Sequence, residues 1–292
     1  MIELIKSGPI YLCFAIGSSL ITYLNIMSKY QCRLCSKELK ERFSLRLMQK
    51  FDIQYFECSE CGCLQTEDPY WLEEAYHNPI RYTDTFTGIR TLTLPPITLL
   101  LTKAIKLGCG ATLLDWGGGN GLITRMLRDL GLDAYSFDVY EKNTYAAGFE
   151  GTLDKNYAII TAFEVLEHMA NPGKELSQLF DCNPELIFCT TCLYNGQGPE
   201  WSYLAPYSGR HIFFFTEYSL RSISELHGFE CIICNSYIVF YRSTMRNINR
   251  KFLNWALNDR NQRFIRAWLS IFPPHGRSYD DYQMMRKKVG DY

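Results

Sequence analysis

The segment Leu113-Leu114-Asp115-Trp116-Gly117-Gly118-Gly119-Asn120-Gly121 limits what this chain can fold into more than any other stretch. An apolar run that reads as a buried strand ends in D-x-G-x-G-x-G and passes directly into a helical pattern. Glycines strip Cβ atoms from a turn where backbone must come close to a ligand. The helix that follows offers unpaired N–H groups to a carboxylate or phosphate. The spacing also discriminates among ligands. A dinucleotide fingerprint G-x-G-x-x-G begun at Gly117 needs glycine at position 122, which is Leu122, so NAD is disfavoured. No G-K-[ST] follows, which excludes a P-loop.

Strand and helix alternate around this turn. Residues 111–116, 134–139, 158–163 and 186–191 read as strands and 120–130 and 172–180 as helices, which implies a parallel sheet with helices on both faces. Pro95-Pro96 starts a helical stretch that ends on Gly108; a helix over 218–227 and a hairpin-like strand pair between 229 and 242 complete the domain. The second strand ends in Phe137-Asp138, where a carboxylate can accept both hydroxyls of a ribose. Together with the glycine turn it indicates a nucleoside ligand.

Twelve cysteines are unevenly spread. Cys32, Cys35, Cys58 and Cys61 form two C-x-x-C units that match a zinc ribbon, four thiolates holding one structural Zn2+ and leaving no open position. A disulfide reading needs an oxidising compartment that nothing else in the sequence supports. Cys63 is a spare thiol beside the knuckle. Cys189/Cys192 and Cys231/Cys234 repeat the spacing inside apolar β-rich runs, where positions i and i+3 point to opposite faces, so these read as core thiols.

Charge narrows the function classes. Thirty Lys+Arg against 31 Asp+Glu leave a net charge of -1, and 47% of the 292 residues are hydrophobic, so the chain is globular and lacks the basic excess of a general polyanion binder. The tail from Arg246 is locally basic and carries Trp255, Phe264, Trp268 and Phe272; it reads as a solvated helix packing one aromatic edge on the domain. Residues 9–27 are long enough to cross a bilayer but are diluted by Pro9, Gly17, Ser18, Ser19 and Asn25. Two readings stay open there, a membrane anchor and a natural start at Met27, with the second slightly favoured. In the first, Lys29, Arg33, Lys37 and Lys40 keep the remainder cytoplasmic. The division expected is 1–28 apolar segment, 29–68 zinc ribbon, 69–91 connection, 92–242 main domain and 243–292 tail.

The D-W-G-G-G-N-G turn, the F-D closing the second strand and A-F-E-V-L-E-H from Ala162 to His168 together resemble class I S-adenosylmethionine-dependent methyltransferases, over roughly residues 92–241. The resemblance implies an α/β, Rossmann-like seven-stranded sheet, here behind a small N-terminal zinc ribbon. It implies that Asp115, Gly117, Gly119 and Gly121 hold the methionine moiety of S-adenosylmethionine, that Asp138 takes the ribose, and that Val139 and Tyr140 flank the adenine. Glu164, Glu167 and His168 then lie beside the methyl group. The ribbon and the run P-E-W-S-Y-L to G-R-H-I-F-F-F-T over 199–216 are similar to bacterial methyltransferases that modify sugars, surface polysaccharides or secondary metabolites. Ser202 departs from them where relatives often carry a second aromatic.

Methyl transfer from a sulfonium is an in-line displacement, so a site must align the acceptor with the methyl carbon and remove one proton. His168, next to Glu167, suits the second task, and His211 in the G-R-H-I run competes for it. Trp201 and Tyr203 can line an acceptor pocket. The activity expected is transfer to a hydroxyl, less readily to nitrogen or carbon, of a sugar, polysaccharide precursor or related small metabolite. The alternative is an RNA methyltransferase that grips nucleic acid with the ribbon and basic tail. The near-neutral charge opposes it, as does the lack of N/D-P-P-[FYW], where this chain has Ala162-Phe163-Glu164-Val165. The partner expected is a small-molecule or glycan acceptor, with nucleic acid disfavoured, membrane association through 9–27 open, and oligomeric state not readable.

Overall fold

The computed structural model describes residues 30–77, 85–105, 107, 110–243 and 250–290. The apolar segment 1–28 lies outside the described residues, among which no helix is long and apolar enough to cross a membrane.

The apolar runs of the main domain become a sheet buried on both faces. Strands β4 (Thr112–Trp116), β5 (Asp133–Phe137), β6 (Ile159–Phe163) and β7 (Leu186–Thr190) run parallel. Strands β9 (Phe229–Cys234) and β10 (Tyr237–Arg242) form an antiparallel hairpin that joins β7. The order is β5-β4-β6-β7-β10-β9, so the chain's direction of travel across the sheet reverses at β4. Side chains alternate between faces, as the two-residue period of a strand requires. Leu114, Ile160, Ile187, Ile238 and Phe240 point to one core, with Leu176, Leu179 and Phe180 of α4 (Pro172–Asp181) and Leu220 of α5 (Glu217–Leu226). Leu113, Ile159, Leu186, Phe188 and Val239 point to the other, with α2 (Thr87–Ala104), Leu127 of α3 (Leu122–Asp129) and Leu253 of α6 (Arg250–Leu257).

This is the Rossmann-like α/β sheet expected, with six strands among the described residues where seven were expected. Where a strand beyond β5 would lie, Glu150 alone among the described residues makes a single parallel bridge, to Ser136. Residues 139–151 are polar and broken by Gly148 and Gly151, too poor in β-branched residues to sustain a ladder. The helix expected from Pro95 begins eight residues earlier, at Thr87, and carries Pro95 and Pro96 inside it. Burial of Leu94, Ile97, Leu99 and Leu101 outweighs the lost backbone bonds, and the hydroxyls of Thr91, Thr93 and Thr98 donate to the carbonyls four residues back.

The cysteine-bearing module is a second sheet. Strands β1 (Leu39–Leu47) and β2 (Phe51–Cys58) form a hairpin from Leu39↔Cys58 to Leu47↔Phe51, turned through Met48 and Gln49 in the left-handed region. Strand β3 (Leu64–Thr66) extends it and pairs with β8 (Phe213–Phe214), which belongs to the main domain's sequence. The module is therefore stitched into the domain. Arg33 Nη2 donates to the Ile212 carbonyl (2.6 Å), Thr216 Oγ1 donates to that of Cys61 (2.7 Å), and Trp71, just ahead of α1 (Leu72–His77), donates its indole N–H to Gly209 (2.6 Å). Beyond residue 249 the tail packs as well as exposing rings. Ala256 of α6 and Ile265 and Leu269 of α7 (Asp259–Ile271) pack against Leu99 and Leu100 of α2, and α8 (Ser278–Val289) follows.

Candidate active site and metal centre

Parallel strands leave a crevice beyond their carboxyl ends where the strand order reverses, and ligands of such sheets bind there. In this chain that crevice is a cleft of about 1020 Å³ above β4, β5 and β6. Its floor is the glycine turn. Gly117 and Gly119 adopt φ +71 and +55, and a Cβ on Gly117 would stand 2.5 Å from Val165 Cγ2 of the E-V-L-E-H segment. Gly117 N–H donates to the Phe137 carbonyl (2.7 Å) and Gly119 N–H to Asp138 Oδ2 (2.9 Å). The three motifs thus meet through direct contacts, and only bare backbone lets them approach so closely.

Each sequence-predicted residue has a definite place. Gly117, Gly119, Asp138, Val139, Tyr140, Glu164, His168, Tyr203 and His211 line the cleft. Asp138 accepts at Oδ1 from the Tyr140 (2.7 Å) and Glu141 (2.8 Å) N–H groups, so its remaining acceptor capacity lies at Oδ2. Asp115 does not line the cleft: it is buried beneath the turn, accepting the hydroxyls of Thr124 and Thr161 at 2.8 Å each. Burial pushes its carboxyl up to about 6, against those hydroxyls, which lower it. Its job is to brace β4, β6 and α3, because a side chain at this point of a buried strand faces protein. Gly121 also stays outside; with φ +81, it leaves room for Asn143, which a Cβ would strike. Trp201 packs behind Tyr203 against Phe214 (ring centroids 5.4 and 5.3 Å), a partly buried ring outside the cleft lining in place of the expected acceptor contact.

One end of the cleft is built by the turn after β6 and the segment before β8. Glu164, at φ +55, is a non-glycine residue in the left-handed region, pinned by its N–H to Thr190. Desolvation, then the nearby Glu167 carboxylate, push it up to about 7. Glu167 sits behind the cleft wall, fully buried, and neither oxygen finds a hydrogen-bond partner among the described residues. His168 Nδ1 lies 2.9 Å from the Arg210 carbonyl and His211 Nδ1 2.6 Å from that of Tyr203. The two imidazoles meet edge to face at 4.9 Å. Sequence reasoning missed Tyr76, which stacks on Tyr140 (4.0 Å, 9°) under the Arg210 guanidinium, and Arg90 at the start of α2. Both come from the connection and its helix, which carry no motif.

The four cysteines of the ribbon converge as well. Their sulfurs lie within 4.8 Å of one another, with Cys32–Cys61 at 3.6 Å and Cys35–Cys58 at 3.5 Å. Those separations are too long for disulfides. They fit one tetrahedral ion, whose ~2.3 Å bonds to sulfur place neighbouring sulfurs ~3.8 Å apart.

Sheet order, glycine turn and strand-end carboxylate together define a Rossmann-like α/β domain with a cleft at its switch point. Residues 91–233, just under half of the chain, match the family described as "Methyltransferase domain". No curated protein matches the chain. Among solved structures it is similar to magnesium protoporphyrin IX methyltransferase from Synechocystis with bound SAH, at 15% identity over 59% of this chain and 93% of that one, with a TM-score of 0.40. It is similar to Burkholderia thailandensis 1,6-didemethyltoxoflavin-N1-methyltransferase at 16% identity over 59% and 84%, TM-score 0.41. Human N-acetylserotonin methyltransferase in complex with SAM matches at 15% identity over 60% and 66%, TM-score 0.37.

Proposed function

We propose that this chain transfers a methyl group from S-adenosylmethionine to a hydroxyl of a sugar, polysaccharide precursor or related small metabolite, while its four-cysteine module holds a structural Zn2+. The observation that carries this reading is the meeting, in one cleft, of the glycine turn, Asp138 and the Glu164–His168 segment. The turn and Asp138 would seat the nucleoside. Four acidic side chains, Asp138, Glu141, Glu164 and Glu175, line the cleft against two guanidiniums, Arg90 and Arg210, a net acidic field that suits a sulfonium cation and opposes a polyphosphate acceptor such as RNA. A cleft of about 1020 Å³ leaves room for an acceptor beside the cofactor. The acceptor oxygen would then lie under His168, His211 and Tyr203, the polar groups at this end of the cleft. The zinc supplies no chemistry: four thiolates would fill its coordination sphere and fix the module.

Isothermal titration with S-adenosylmethionine tests the reading, and folded protein that gives no heat of binding removes it. A methyl-release assay over nucleotide sugars, glycans and RNA then identifies the acceptor class. Turnover of RNA with a steep loss of affinity in salt would favour the nucleic-acid reading instead.

A further inference from the structure

Glu167, His168 and His211 bring one carboxylate oxygen and one ring nitrogen each to within 4.8 Å of one another. Protons alone do not explain the arrangement. A carbonyl oxygen can only accept, so His168 and His211 each carry their proton on Nδ1, donated to Arg210 and Tyr203, and the lone pair falls on Nε2. A carboxylate–histidine dyad would have Glu167 accept an imidazole N–H, yet neither Glu167 oxygen has a partner among the described residues, although the side chain is fully buried. An isolated buried carboxylate is costly. Here it lies beside two imidazoles, each anchored through Nδ1 to a backbone carbonyl, the support that metal-bound histidines have. Two imidazoles and one carboxylate on a single side leave the remaining coordination positions open, and His168 and His211 line the cleft.

We propose that Glu167, His168 and His211 bind a divalent first-row transition ion whose open positions face the cleft and receive the acceptor's hydroxyl. The role, though not the site, rests on the methyl-transfer reading. The bound hydroxyl loses its proton to water. Its oxygen lone pair then forms the bond to the methyl carbon as the carbon–sulfur bond breaks, and that electron pair stays on sulfur to leave a neutral thioether.

The test uses the full-length protein with its cysteine module loaded with zinc. Mn2+ is titrated and followed by electron paramagnetic resonance, and Co2+ by absorption. Thiolates select softer ions than Mn2+, so Mn2+ reports on the nitrogen–oxygen site. One saturable site per chain is expected, weakened by at least ~10–100-fold in Glu167→Gln and in His211→Asn. Folded protein that binds neither ion overturns the proposal, as does binding that survives both substitutions. Glu167→Gln keeps the side-chain volume and carries the test if the histidine variant does not fold. Calorimetry with S-adenosylmethionine in parallel separates the failures: cofactor bound without metal sinks the metal site alone, while metal bound without cofactor sinks the methyl-transfer reading and leaves the site standing. Methyl release that persists under chelation sufficient to strip Mn2+ overturns the assigned role.

Discussion

Asp115 shows how one buried carboxyl sets a pH dependence. Its folded value of about 6 lies above the ordinary 3.8. Below roughly pH 4 the group is protonated in both folded and unfolded chains and contributes nothing. Above about pH 6 it is ionised in both, and only the folded chain bears the desolvation, about 3 kcal/mol at 1.36 kcal/mol for each unit. Stability therefore falls as pH rises through this window. Asp115→Asn accepts one threonine hydroxyl at its amide oxygen, donates its NH2 to the other once that hydroxyl turns, and abolishes the ionisation, so it gains about 3 kcal/mol on the wild type between pH 4 and 7. Urea denaturation of both proteins across that range checks it; a constant difference would show that the carboxyl does not bear the cost. The residue also marks where sequence stops informing. Its spacing from the glycines is plain, but spacing does not say whether a strand-end side chain turns to ligand or to protein, and the partners that decide it, Thr124 and Thr161, carry no motif.

Among elements, the docking of α8 rests on a buried ion cluster. Arg128 of α3 is fully buried and donates through Nε (2.7 Å) and Nη2 (2.6 Å) to the two oxygens of Asp281, with Asp133 at 2.9 Å and the Phe149 ring beneath. Arg125 adds a further bond to Asp281 at 2.8 Å. Backbone closeness reinforces the joint, since a Cβ on Gly131 would stand 2.5 Å from the His275 carbonyl. Asp281→Ala strands a buried guanidinium and should cost about 3–5 kcal/mol, read as a lower urea midpoint. Pairing it with Arg128→Leu should recover much of that loss, because removing both charges of a buried pair is far less harmful than removing one. Additive losses would refute the coupling. Parallel strands announced themselves as apolar runs, and the antiparallel hairpin of β9 and β10 by its brief polar turn. The tail's docking was hidden, because its sequence shows aromatic and basic residues while the decisive contact joins Arg128 to Asp281, 153 positions apart.

At the scale of the whole molecule, the cysteine module and the cleft are one mechanical unit. From the knuckle, β3 pairs with β8 through Leu64↔Phe214 and Gln65↔Phe213, and Thr66 N–H donates to the Ile212 carbonyl (3.1 Å). Ile212 N–H donates in turn to the Glu167 carbonyl (2.8 Å), and His211 is its chain neighbour. The glycine turn hangs on a different set of bonds, to Phe137 and Asp138 at the end of β5. Pattern alone delimits the module by its cysteines but cannot show that β8, some 150 positions later, completes its sheet. The separation of the two bond networks yields a discriminating prediction. Cys35→Ser should abolish metal binding by the module and loosen β3, β8 and the Glu167–His211 neighbourhood, while S-adenosylmethionine affinity changes by no more than about 3-fold, under 1 kcal/mol. Hydrogen exchange resolves the outcome: amides 212–214 should lose protection and amides 113–119 keep it. Equal loosening of both regions would mean that the module stabilises the entire sheet. Unchanged exchange at 212–214 would mean that β8 holds its place without the metal, and the module's grip on the His211 side of the cleft would have to be abandoned.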